Sequence, residues 1–208
     1  MPETQPIVFV VDDDAAARAS VENLLHSVGL KVEAFESAGR FLDRSLPDVP
    51  SCLVLDVRLP RMSGIELQRE MAARGIAIPI IFVTGHGDIP MSVEAIKAGA
   101  MEFLTKPFRG QVLLDAIHKA IERDRALREE RSRLAELRAR FDSLTPRERE
   151  VMDGVLAGKL NKSIAGDLDA SERTIKIHRA NLMRKMGADS VADLVRMAEK
   201  AAALTRTN

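Results

Sequence analysis

From Ile7 to Ile121, short apolar runs alternate with helical periodicities. Ile7-Val8-Phe9-Val10-Val11 is continuous and mostly β-branched, which predicts a strand buried on both faces. Between Ala15 and Val28 the apolar positions Val21, Leu24, Leu25 and Val28 recur at helical spacing, with Gly29 as the stop. Lys31 to Phe35 alternates as a second strand, and a short helix over Ser37 to Leu46 turns Phe41 and Leu42 inward. Cys52-Leu53-Val54-Leu55 reads as a third buried strand, and Gly64 to Ala73 as a helix presenting Ile65, Leu67 and Met71. Ile78 to Val83 is a fourth strand, although it contains Pro79. A helix over Pro90 to Ala98 takes Asp88 as N-cap, Pro90 in its first turn and Gly99 as its end. Phe103-Leu104 is a short fifth strand, and a fifth helix starts near Val112. Strands alternating with helices imply an α/β domain built on a doubly wound, five-stranded parallel sheet.

Between Gly110 and Phe141 there is no Gly or Pro, and Glu122 to Asp142 is rich in Arg, Glu, Leu and Ala. Glu129 with Arg133, and Glu136 with Arg140, stand at i,i+4 spacing. One long helix therefore leaves the first domain and becomes a linker. Leu127, Leu134 and Phe141 recur every seven residues with Leu137 beside them, a repeat open to either a short coiled coil or a solvated linker. The remainder is all-helical. Thr145-Pro146-Arg147-Glu148 combines a Thr N-cap, Pro at the first helical position and Glu at the third. That helix runs to Ala157; Asn161 caps a second over Lys162 to Leu168; Ser171 caps a third over Glu172 to Met186; a fourth covers Val191 to Ala203. A short helix, a tight turn and a longer helix form a helix-turn-helix pattern. The expected organisation is an α/β domain over 1–122, a helical linker over 123–140 and a four-helix, all-α domain over 141–208.

Composition narrows the function classes. With 208 residues, each half is long enough to bury its own core. No run of about 18 apolar residues is present, so no membrane partner is expected. The polar start Met1-Pro2-Glu3-Thr4-Gln5-Pro6 lacks the basic region of a signal peptide, so a cytoplasmic location is expected. A single cysteine, Cys52, and four scattered histidines leave no disulfide within the chain and no zinc cage. Phe is the sole aromatic type, which argues against stacking platforms for single-stranded nucleic acid. Residues 1–121 carry 12 Lys+Arg and 16 Asp+Glu, whereas 143–208 carry 12 and 9. An acidic front and a basic back suit one cationic and one anionic partner.

In a parallel α/β sheet, ligands sit beyond the carboxyl ends of the strands. At those ends this sequence places Asp12-Asp13-Asp14, Asp56, Thr84 and Lys106-Pro107. Asp14 is also a candidate helix N-cap. Several carboxylates at one edge repel unless a cation joins them, and hard oxygen donors suit Mg²⁺. A carboxylate at a metal, flanked by a lysine and a hydroxyl, can take up a phosphoryl group. Val-Val-Asp12-Asp13-Asp14, Val-Leu-Asp56-Val-Arg-Leu-Pro60-Arg-Met-Ser-Gly64, Val-Thr84-Gly-His-Gly-Asp88-Ile-Pro-Met and Lys97-Ala-Gly-Ala-Met-Glu-Phe103-Leu-Thr-Lys106-Pro107-Phe108 together resemble a two-component receiver domain over about 6–122, with a flavodoxin-like fold. Gly85-His86-Gly87-Asp88-Ile89-Pro90-Met91 is similar to the FixJ type. The resemblance implies Asp56 as phosphoacceptor, and Asp12, Asp13, Asp56 and the backbone carbonyl of Arg58 as Mg²⁺ ligands. It also implies Thr84 and Lys106 on the phosphoryl group, Phe103 as a rotamer switch and a cis Lys106-Pro107 peptide.

On a helical wheel anchored at Ile175, Leu182 and Met186 fall within ~20°. Arg173, Lys176, Ile177, Ala180 and Arg184 lie opposite, at ~100–200°. Apolar Ile and Ala among bases suit a helix lying in a major groove. Leu144-Thr-Pro-Arg-Glu148, Gly158-Lys-Leu-Asn161-Lys162-Ser-Ile-Ala165 and Ser171-Glu-Arg-Thr174-Ile-Lys-Ile-His178-Arg179-Ala-Asn-Leu-Met-Arg-Lys185-Met resemble the LuxR/NarL-type DNA-binding domain, over about 141–203. The resemblance implies base reading by Lys176 and Ile177, and phosphate contacts from Lys162, Thr174 and Lys185. Some relatives carry a basic residue where this chain has Ala180. Arg179, at ~40° on the core side, is expected to pair with Glu148, and His178 to pack inward.

These resemblances imply a response regulator of the FixJ/NarL type. It would be phosphorylated by a sensor histidine kinase, dimerise on phosphorylation and bind double-stranded promoter DNA, with RNA polymerase as a further candidate partner. An aspartyl phosphatase of the haloacid-dehalogenase type shares the chemistry and a D-x-D. That pattern wants Thr or Val where Ala16 stands, and an acidic pair on a late strand that is absent. A phosphorylation-independent interaction protein is a third reading, opposed by the Asp56, Thr84 and Lys106 set.

Overall fold

A computed structural model describes residues 5–85 and 89–205, the side chains of 89–91 and 202–205 excepted. The chain divides into two compact units, Met1–Arg128 and Glu129–Asn208.

The first unit carries β1 (Ile7–Val11), α1 (Ala15–Ser27), β2 (Lys31–Phe35), α2 (Ala38–Leu42), β3 (Ser51–Leu55), α3 (Gly64–Ala73), β4 (Ile80–Thr84), α4 (Ile89–Lys97) and β5 (Glu102–Thr105). The start of α5 (Gly110–Asp142) completes it. All strand pairs are parallel, in the order β2-β1-β3-β4-β5. Period-two alternation sorts each strand into two cores. Phe9, Leu53, Leu55 and Phe82 meet Phe41, Leu67, Met71 and Ala95 on one face. Val8, Val10, Cys52, Val54, Ile81 and Val83 meet Val21, Leu25, Leu113 and Ile117 on the other. The sheet is thus doubly wound, with its carboxyl edge left open for chemistry.

The boundary differences have local causes. β4 begins at Ile80, not Ile78, because Pro79 has no N–H for the ladder; its carbonyl accepts from Leu53 instead. α2 ends at Leu42 rather than Leu46. Arg44 leaves the helix to pair with Glu33 at 2.9 Å, and Pro47 disfavours helix at the residue before it. Val28 lies past the end of α1 and is 48% exposed. Asp88, expected as the N-cap of α4, lies outside the described residues, as do His86 and Gly87.

The second unit holds the end of α5, then α6 (Pro146–Leu156), α7 (Asn161–Asp167), α8 (Glu172–Met186) and α9 (Val191–Thr205). Val151, Val155, Ile164, Ile175, Leu182, Met186 and Leu194 form its core. Leu137 and Phe141 of α5 join this core, whereas Leu127 is 42% exposed. Glu129 pairs with Arg133 at 3.1 Å, but Arg140 donates to the Met186 carbonyl rather than to Glu136. Ser171 caps α8 and Gly187 ends it in the left-handed region. Asn161 does not cap α7: Leu160 holds that position with no side-chain cap, and the Asn161 amide oxygen accepts from Arg179 at 2.9 Å.

Thr145 and Glu148 close a reciprocal capping box at the start of α6. Glu148, only 4% exposed, then takes Lys185 of α8 at 2.7 Å, the place expected for Arg179. The Lys185 ammonium, followed by the Thr145 amide, holds the Glu148 carboxyl below its ordinary value of 4.5. A carboxyl depressed by folding contributes stability that is full above its unfolded pKa and is lost as pH falls through the folded one. Near neutral pH, Glu148→Gln should therefore lower the stability of this unit by about 1–3 kcal/mol. Urea unfolding across pH should show that gap narrowing below the ordinary carboxylate value of 4.5.

Candidate functional site

The carboxyl edge of the sheet gathers residues that are far apart in sequence. Asp12 follows β1 directly, and its amide donates to the Phe35 carbonyl at 3.2 Å. The residue is 4% exposed. Its Oδ1 accepts from the Asp14 amide at 2.9 Å, and its Oδ2 from Lys106 Nζ at 2.6 Å. Asp56 follows β3, tied by its amide to the Val11 carbonyl at 2.9 Å. Its Oδ1 accepts from the Arg58 amide at 3.0 Å and its Oδ2 from Lys106 Nζ at 3.2 Å. Lys106 leaves β5 through a cis bond to Pro107, and its amide donates to the Thr84 carbonyl at 2.8 Å. One ammonium thus joins the carboxylates that end two neighbouring strands.

Asp12, Asp13 and Asp56 each offer a carboxylate oxygen, and these oxygens all lie within 4.8 Å of one another. Burial raises the Asp12 pKa, against the lowering pull of the Lys106 hydrogen bond and charge. Burial also depresses Lys106, but the hydrogen bond and charge of Asp12, together with Asp56, outweigh it and raise the ammonium pKa. The lysine remains a cation in a cleft that still carries excess negative charge. A hard divalent ion fits this all-oxygen donor set. Asp14 stands apart: it caps α1, accepting from Ala16 and Ala17 at 2.8 and 3.2 Å, and those amides lower its pKa.

Thr84 ends β4 and is 1% exposed. Phe103, half-buried on β5, packs its ring 6.2 Å from Phe82. Close behind Asp56 lies Gly64, at the start of α3, where a Cβ would come within 2.3 Å of the Asp56 carbonyl. Arg18, one turn into α1, donates to the Asp12 carbonyl at 2.6 Å. Sequence reasoning passed over Arg18; its one signal is a base six residues after Asp12, on the helix that Asp14 starts.

In the second unit the outer stripe of α8 is exposed at Arg173, Lys176, Ile177, Ala180 and Arg184, with Ile177 at 55%. Lys162 is exposed on α7. Thr174 is half-buried, its hydroxyl 2.8 Å from that of Ser171. Lys185 is turned inward, donating to Glu148 and, at 3.0 Å, to the Ser143 carbonyl. His178 is half-buried.

Residues 8–118 match the response regulator receiver domain family, and residues 142–198 match the luxR family of bacterial regulatory proteins. Nodulation protein W of Bradyrhizobium diazoefficiens is 55% identical over 196 residues, 94% of this chain and 86% of that protein. Transcriptional regulatory protein FixJ of the same organism is 46% identical over 202 residues, 97% of this chain and 98% of that one. The low-resolution structure of response regulator StyR superposes with a TM-score of 0.90 at 49% identity, covering 95% of this chain and all of that one. These likenesses are to regulators, not to haloacid-dehalogenase phosphatases, and no helix among the described residues is long and apolar enough to cross a membrane. The chain belongs to the two-component response regulators, with a receiver domain followed by a LuxR-type DNA-binding domain, and it regulates transcription rather than catalysing a metabolic reaction.

Proposed function

We propose that Asp56 accepts a phosphoryl group from a sensor histidine kinase, and that this modification controls sequence-specific binding of promoter DNA by α8. The observation that carries the reading is the Lys106 ammonium shared by Asp12 and Asp56 at adjacent strand ends. A carboxylate oxygen of Asp56 attacks phosphorus in line with the departing imidazole nitrogen of the kinase. The P–N bond breaks as the P–O bond forms, and the histidine leaves with its nitrogen lone pair restored. Lys106 and the Thr84 hydroxyl then hold the phosphoryl oxygens. Asp12, Asp13, Asp56 and the Arg58 carbonyl would hold Mg²⁺, which when bound neutralises charge on those oxygens. Thr84 moves toward the phosphoryl group and Phe103 follows into the space it vacates. That repacks the surface of α4 and β5, where Val93 and Ile96 are 44% and 46% exposed beside Lys97, and this face dimerises.

Intact-mass measurement after incubation with acetyl phosphate should show one phosphoryl adduct, absent in Asp56→Asn and suppressed by EDTA. An undiminished adduct in Asp56→Asn removes the assignment. Sedimentation with the same donor should show a shift toward dimer that Phe103→Ala weakens; a wild-type protein that stays monomeric excludes the dimer route.

On the DNA side, Lys176 lies near the start of α8, where a recognition helix meets base edges, and Lys162 lies on the helix that crosses the backbone. Lys162→Ala should weaken binding to all duplexes alike and lower the log–log salt slope by about one. Lys176→Ala should cost about 1–3 kcal/mol on a selected duplex and much less on a scrambled one. Fluorescence anisotropy at several salt concentrations separates the two. Equal losses for Lys176→Ala on both duplexes would move specificity to another residue.

A further inference from the structure

In the second unit, the C-terminal end of α8 is gripped by the end of α5. The Arg140 guanidinium, in the last turn of α5, donates from Nη1 to the Met186 carbonyl at 3.0 Å. Met186 is the last residue of α8, and its side chain is wholly buried. The final carbonyls of a helix lack partners within it and form the negative end of its dipole, so a guanidinium there is favoured twice over. Gly187 leaves room for the approach. It turns at φ +64°, and a Cβ there would stand 3.0 Å from Arg140 Nη1.

The grip has a firm base. Leu137, at 9% exposure, and Phe141 pack into the core of this unit, and Glu130 pairs with Lys200 of α9 at 3.3 Å. A second tie runs beside the first, from Lys185 to the Ser143 carbonyl at 3.0 Å. Arg140 belongs to α5 and takes no part in the outward stripe of α8. Ten residues separate Lys176 from Met186, ~15 Å along a helix. A helix is rigid over that length, so a small tilt at the held end displaces the reading end. Hydrogen bonds to base edges weaken steeply once their angles are distorted.

We propose that Arg140 is a positioning residue for base reading, setting the angle of α8 through the Met186 carbonyl without touching DNA. The proposal rests on α8 being the recognition helix. The test uses the full-length chain and a duplex that the wild-type protein selects from random sequence, with a scrambled duplex as control. Arg140→Ala should lose about tenfold in affinity for the selected duplex and stay within about twofold on the scrambled one, because nonspecific binding is chiefly to phosphate. Its salt slope should match wild type, since no phosphate contact is lost. Arg140→Lys, which can still donate to the carbonyl, should recover most of the loss. Circular dichroism at the assay temperature checks that both variants are folded.

Equal losses on both duplexes with a slope lower by about one would make Arg140 a phosphate contact and overturn the proposal. Equal losses that follow the folded fraction would reduce it to a stabilising residue, and no loss would remove it. Should Arg140→Ala not fold, Arg140→Gln, checked for folding in the same way, decides alone: a loss confined to the selected duplex supports the grip, and equal losses on both duplexes, or none, refute it. A wild-type protein that selects no duplex would instead remove the reading of α8 itself.

Discussion

Three carboxylates with oxygens within 4.8 Å of one another, one of them almost wholly buried, are an electrostatic problem that the rest of the receiver is organised around. At an effective dielectric near 20, two full charges at such a spacing repel by about 3 kcal/mol. Lys106 relieves part of this by bonding Asp12 and Asp56 together, but one cation cannot balance three anions. The remaining negative charge suits the divalent ion of the proposed reading. In the proposed phosphoryl transfer the same lysine meets the oxygens of the incoming group. Arg18 on the Asp12 carbonyl and the Arg58 amide on Asp56 fix the loops that bear the charges.

A parallel sheet suits this task because it ends all its strands at one edge. The Asp56 amide bonded to Val11 and the Lys106 amide bonded to Thr84 extend the ladder one step past the strands, carrying its regularity into the site. Gly64 lets α3 start against the Asp56 carbonyl, where a larger residue would push the loop away. The second unit meets a different requirement with the same economy. Glu148 caps its own helix and anchors Lys185 of the next, so one buried carboxylate both starts α6 and locates α8. Among the described residues, no carboxylate pairs with Arg173 or Lys176 on the outward stripe of α8.

Much of this was legible in the sequence because it depends on period and chain punctuation. The continuous apolar runs of β1 and β3 marked strands buried on both faces, and Ser171 and Thr145 marked helix starts by local chemistry. The Asp12, Asp56 and Lys106 triad was legible too, since strand ends of a parallel sheet must converge. What escaped were choices among competing partners. Asn161 looked like a cap but serves Arg179, and Arg179 in turn leaves Glu148 to Lys185. Arg140 sits at the right spacing for Glu136, yet a helix end across the core offers unpaired carbonyls that an exposed carboxylate on the same helix does not outweigh. Wheel angles order residues around one helix; they do not say which of two cations a carboxylate on a neighbouring helix will take.

The central claim is that a phosphoryl group on Asp56 governs what α8 does to DNA. The most direct measurement is the affinity of the full-length protein for a duplex it selects from random sequence, with and without acetyl phosphate and Mg²⁺, for wild type and Asp56→Asn. The account predicts tighter binding by the wild type when the donor is present, and no response in Asp56→Asn. Equal affinities for the wild type with and without the donor, at verified phosphoryl occupancy, would contradict it.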